Sequence, residues 1–260
     1  GALLALSKPP GLPILGRPGD LSLDALLPAL RQRLGLAAEL HVVKAPAREY
    51  SGLVLLSSCY HTTKKLQQFF TNARLRGQYP ATYRAITVGV PAEVEGEIRT
   101  GLSWQHQGDR AMVVPVPAPG RRSLARKDVK STLTRYRVLG AMGGSALLQL
   151  QPRTGEWPPN TSTTPAMLPD PCDFTFPCSS PAFPEQLQVH LTLLLCPALG
   201  DHEHSSRVGK VLGVPFFLTP ETAPTRTQVL DEELLSRLGL SPWQLRHLPL
   251  HIHLQELVLP

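Results

Sequence analysis

Acidic residues are in deficit: 20 Asp and Glu stand against 26 Lys and Arg, for a net charge of +6 and a pI near 9.4. That balance excludes an acidic solvating segment and leaves two readings, a polyanionic partner or simple solubility. Cysteine is scarce. The four at 59, 172, 178 and 196 show no Cys-x-x-Cys spacing, so a thiolate metal centre is excluded and free thiols of a reducing compartment are expected. Long apolar runs are missing as well. The longest candidate, Leu191 to Leu199, is broken by Pro197 and falls short of the roughly 18 to 20 residues a spanning helix needs, so no membrane span is expected. No phosphate loop, dinucleotide fingerprint, Ser-His-Asp pattern or internal repeat stands out. Two His-x-His pairs, His202 with His204 and His251 with His253, lack a third ligand at a defined spacing, so no metal and no cofactor are expected. Gly1 is not an initiator Met, so the chain is expected to be either a processed product or an excised piece, with any targeting peptide out of view.

What is present can fill a core. With 260 residues and 42% hydrophobic content, one domain over 1–260 is the expectation. Ser22 caps a helix from Leu23 to Leu34, with Leu23, Leu26, Leu27, Leu30 and Leu34 on one face. A second helix is predicted from Thr62 to Arg76, with Leu66, Phe69, Phe70 and Ala73 inward. Its other face carries Lys64, Lys65, Arg74 and Arg76 without an acid in the segment, which points to an anionic ligand.

Leu53–Leu56 reads as a strand covered on both faces, entered from a polar loop that ends at Ser51-Gly52. Period-two alternation predicts strands at 82–88, 133–138, 146–150, 187–193 and 251–257, which together argue for an α+β domain around a largely antiparallel sheet. From Arg121 to Arg137 seven bases, among them Arg121, Arg122, Arg126 and Lys127, meet one acid, and this basic stretch is expected to contact phosphates. Residues 156–185 hold eight prolines and no Lys or Arg, and are expected to form a disordered Pro/Ser/Thr-rich insertion. Short helices are predicted at 231–238 and after Ser241-Pro242.

Several fragments, in order, resemble the RluA-type RNA pseudouridine synthase family, closest to its mitochondrial mRNA branch. Leu6-Ser7-Lys8-Pro9-Pro10-Gly11 is similar to its opening strand and turn, and Ser51-Gly52 with the following strand to the end of its catalytic loop. Ala81-Thr82-Tyr83-Arg84-Ala85 is similar to its K-x-Y-x-A strand. Gln151-Pro152-Arg153-Thr154-Gly155 and Gln186-Leu187-Gln188-Val189-His190-Leu191 resemble one motif split by the insertion; Pro197 to Asp201 and Leu250-His251 resemble its closing motifs.

The resemblance implies a mixed, largely antiparallel sheet with flanking helices and an RNA-binding cleft, and a cofactor-free isomerisation. In that reaction a carboxylate attacks a flipped uridine, whose base turns and rejoins its sugar through carbon. It implies that Tyr83 stacks on the target base. The nucleophilic Asp position is Ala47 and its partner Arg position is Gln188, a joint loss that avoids stranding a buried charge. Glu49, two residues before Ser51, is the substitute carboxylate on the loop. Two functions follow: a pseudouridine synthase of mitochondrial mRNA or rRNA, or a catalytically inactive RNA-binding or ribosome-assembly factor of the same fold. Both place the chain in the mitochondrial matrix with RNA, and RNA-granule or ribosome-assembly proteins, as partners.

Overall fold

The computed structural model describes residues 2–17, 19–107, 110–116, 129–154, 183–212, 214–218 and 227–260. The strands are β1 (Leu3–Lys8), β2 (His41–Lys44), β3 (Ser51–Ser57), β4 (Ala81–Val88), β5 (Glu95–Gln107), β6 (Arg110–Val116), β7 (Val129–Met142), β8 (Ser145–Thr154), β9 (Val208–Val211), β10 (Val214–Phe217) and β11 (Ile252–Leu257). The helices are α1 (Leu23–Arg33), α2 (Tyr60–Leu75), α3 (Gln186–Leu193), α4 (Glu232–Leu238) and α5 (Pro242–Leu245).

Nine strands form one sheet in the order β1-β3-β11-β4-β8-β7-β5-β6, with β2 also paired to β3. Every pairing among the described strands is antiparallel except β3 with β11. The α+β class with a largely antiparallel sheet is thus as the alternation predicts. The β7–β8 turn is made by Gly143-Gly144, both at positive φ, the backbone that a two-residue hairpin turn requires.

The sheet is two-sided in chemistry. Tyr83, Ile98, Tyr136, Leu148 and Leu150 are buried in one cluster, while Arg84, Arg99, Arg135 and Arg137, the chain neighbours of the first three, point to solvent. The covering element on the buried side is α3: Leu187 and Leu191 join that cluster, and Val189 packs with Leu102 and Val113. Each such fully buried aliphatic side chain contributes about 1.5–3 kcal/mol. On β3, Val54 and Leu56 pack with Leu23 and Leu27 of α1, and Leu55 packs with Leu66 and Phe70 of α2. Within α1 the apolar face is narrower than expected, because Leu26 and Leu34 are exposed.

The predicted strand at 187–193 is a helix. Alternating Gln, Leu, Gln, Val, His, Leu has a period of two, yet Gln186 through Thr192 are all buried, and a segment enclosed on every side has no polar face for periodicity to mark. Its polar residues are enclosed because each finds partners. Gln186 Nε2 donates to the carbonyls of Leu133 and Arg153 at 3.1 and 3.2 Å, and His190 lies between Thr132 Oγ1 at 2.9 Å and Thr134 Oγ1 at 2.8 Å.

Burial holds His190 neutral, its pKa lowered to about 3. The unfolded chain takes a proton near pH 6.5 and the folded chain does not, so stability is complete above pH 6.5 and falls as the pH drops from there toward 3. The expected slope is about 1.4 kcal/mol per pH unit in that window. Urea midpoints measured across it should drift less in His190→Gln than in the parent.

Candidate functional site

The loop between β2 and β3 is tethered at its middle, through the Arg48 carbonyl. The Lys8 ammonium, 1% exposed, donates to the carbonyls of Pro9, Leu12 and Arg48 at 3.0, 2.9 and 2.9 Å, and the Gly11 N–H donates to the Arg48 carbonyl at 2.9 Å. Burial lowers this ammonium's pKa to about 8, with Glu49 opposing. The opening Lys-Pro segment is therefore a buttress for the loop. Within the loop the Tyr50 N–H donates to the Ala47 carbonyl at 3.1 Å, and Ala47 packs against the cluster that holds Tyr50, Tyr83, Leu187 and Leu191.

Tyr83 projects from β4 into that cluster at 1% exposure, its ring edge-on to Tyr50 at 6.0 Å and 77°. Tyr50 donates its hydroxyl to Gln188 Oε1 at 3.2 Å. Burial, then the charges of Tyr83, Asp201, Glu185 and Glu49, hold the Tyr50 phenol well above its ordinary pKa, so it stays a donor. The tertiary structure thus gathers Lys8, the Ala47–Tyr50 turn, Tyr83, Gln188, Ala198 and Leu250 into one place. The two halves of the split motif also meet, through the Gln186 to Arg153 hydrogen bond.

At the start of α3 lies an acidic group that sequence reasoning missed. His204 Nε2 is 3.0 Å from Glu185 Oε2, and single donor atoms of Glu185, Glu203 and His204 all lie within 4.8 Å of one another. Asp201, 2% exposed, accepts the N–H groups of Glu203 and His204 through Oδ1 at 3.1 and 2.9 Å. Burial works against the His204 imidazolium, but the Glu185 hydrogen bond and the charges of Asp201, Glu185 and Glu203 outweigh it and raise the pKa. Burial and then Glu185 raise that of Glu203. Sequence could show only that Glu203 and His204 are neighbours; Glu185 arrives through the fold.

The other candidate residues are dispersed. Glu49 is exposed, with Arg48 Nε 3.6 Å from its Oε1. Lys64 and Lys65 are exposed on α2, Lys64 with its ammonium 5.3 Å from the Tyr60 ring centre, and Arg76 is exposed just past the helix. The helix runs through Arg74, whose side chain lies outside the described residues, as do Arg121, Arg122, Arg126, Lys127 and residues 156–182 of the expected insertion.

The basic stretch is not one loop. From Val129 it is strand β7, where Arg135 Nε reaches Glu97 Oε1 at 2.7 Å and Arg137 Nε reaches Glu95 Oε2 at 3.3 Å. Counting charges along the sequence missed these acids because they sit on β5, the neighbouring strand. Cys59 and Cys196, the cysteines among the described residues, are free thiols, and burial pushes Cys196 up to about 11. No helix among the described residues is long and apolar enough to cross a membrane.

The profile of the RNA pseudouridylate synthase family matches residues 2–156, and the chain belongs to that family. Over its whole length it is 46% identical to the mitochondrial mRNA pseudouridine synthase RPUSD3 of Homo sapiens and 45% identical to that of Mus musculus, spanning 66% and 68% of their lengths. The solved structure of human RNA pseudouridylate synthase domain containing 4 superposes with a TM-score of 0.64 at 25% identity, covering 97% of this chain and 78% of that one.

Proposed function

We propose that this chain is a pseudouridine synthase of mitochondrial RNA, mRNA or rRNA, working in the matrix. The observation that carries the reading is the convergence of Tyr83, the 47–50 turn and α3 on one buried cluster, in a chain 46% identical to a mitochondrial mRNA pseudouridine synthase. Tyr83 is the residue assigned to stack on the flipped base. Because Tyr83 is enclosed, stacking a base on it requires the cluster that covers it, Tyr50 included, to open. Ala47 has no oxygen with which to attack, so isomerisation draws its carboxylate from elsewhere, Glu49 being the one on the same loop.

One observation favours a second reading, RNA binding without isomerisation in an RNA-granule or ribosome-assembly setting: Gln188, where the resemblance puts the partner Arg, is a neutral amide that accepts from the Tyr50 hydroxyl, and Ala47 offers it no carboxylate.

Incubating the purified chain with transcribed mitochondrial RNA and mapping pseudouridine separates the two. Site-specific conversion that is lost in Tyr83→Phe supports the first; tight binding without conversion leaves the second. Both readings require RNA affinity that falls with salt. In Lys64→Ala/Lys65→Ala the slope of log affinity against log salt should shrink by about 1.4, two single-strand phosphate contacts' worth. An unchanged slope removes α2 from the RNA surface.

A further inference from the structure

We propose that Glu185, Glu203 and His204 form a binding site for one divalent transition-metal ion, Zn²⁺ or Mn²⁺, at the start of α3. Three donor atoms within 4.8 Å of one another need only small side-chain rotations to close on an ion at the roughly 2.0–2.2 Å typical of zinc–nitrogen and zinc–oxygen bonds. Two carboxylates and an imidazole form a donor set that zinc and manganese accept; the imidazole disfavours magnesium.

Asp201 supplies the independent sign that a cation belongs there. Its side chain is 2% exposed, its Oδ1 holds the turn carrying Glu203 and His204, and its Oδ2, also buried, accepts no hydrogen bond among the described residues. The charges acting on Glu203 are those of Glu185, Asp201 and Glu49, opposed by His204. A buried carboxylate oxygen without a donor, set against two further carboxylates, costs free energy that a bound cation would relieve. Asp201 also orients two of the ligands from behind, as outer residues do in metal centres.

His202, the other half of the His-x-His pair, takes no part: Nδ1 accepts the Gln228 N–H at 3.3 Å and Nε2 donates to the Leu248 carbonyl at 3.0 Å. The third ligand that the spacing of the histidines lacks is Glu185.

The test is calorimetric titration of the chelator-treated chain with ZnCl₂ and, separately, MnCl₂. The expected result is one equivalent of at least one ion, a higher thermal midpoint with it, and affinity at least tenfold weaker in Glu203→Gln and in Glu185→Gln. Glu203 is exposed, so its variant keeps the fold, which circular dichroism checks. No binding of either ion up to millimolar concentration overturns the site. So does binding of equal affinity in both variants, or binding lost in Cys59→Ser instead. None of these readouts involves RNA or isomerisation, so the metal site and the proposed function fail separately.

Discussion

Gly52→Ala should abolish the folded state, with a loss of more than about 4 kcal/mol against the roughly 5–15 kcal/mol that holds a domain together. Gly52 lies at φ +125°, where side chains are strained, and an added Cβ would sit 2.8 Å from the Leu254 Cα and closer still to its backbone N and O. Backbone cannot rotate away as a side chain can. The clash falls where β3 meets β11 in parallel, pairing His253 with Ser51 and Leu254 with Gly52. Separating these strands pulls Ile252 and Leu254 out of the cluster around Tyr83. Soluble yield and thermal melting of the variant measure the effect; a melting curve like the parent's would mean that β11 shifts without consequence.

The second large effect is a coupling. Gln188→Arg alone places an unpaired charge at a site 6% exposed and removes the acceptor of the Tyr50 hydroxyl, a loss of about 3–5 kcal/mol. Ala47→Asp alone puts a carboxylate beside an apolar cluster and is expected to cost about 1–3 kcal/mol. Together the two charges can pair, and the double variant should be more stable than the sum of the singles predicts by about 2 kcal/mol. Denaturant melts of the four proteins measure that difference. If position 47 is where catalysis lost its nucleophile, the double variant should also form pseudouridine at least tenfold faster than the parent, a barrier change of about 1.4 kcal/mol. Additive stabilities would show that the two positions do not face each other.

Much of the frame was legible because its signals are local. Ser22 accepts from the Ala25 N–H at 3.3 Å as an N-cap should, Asp231 caps α4, and Ser241 with Gln244 completes a capping box before α5. Strand β3 follows from its apolar run, and β4, β8 and β11 from period-two alternation. Strands β5 and β6 carry no apolar alternation, although Glu95, Glu97 and Arg99 of β5 alternate with Gly96, Ile98 and Thr100. There the period-two signal is carried by charges and glycines rather than by apolar residues, and only the outward face shows it clearly.

The sequence by itself determined the class of fold and the family, and it sets Ala47 and Gln188 where the resemblance expects an Asp and its partner Arg, since residue identity and order need no coordinates. The tertiary structure alone decided that 186–193 is a helix, that Arg135 and Arg137 spend their charge on Glu97 and Glu95, and that Glu185 joins Glu203 and His204. Helix and strand periods leave a trace along the chain only where one face meets water. Contacts between elements distant in sequence leave none, because they arise from how the chain closes on itself.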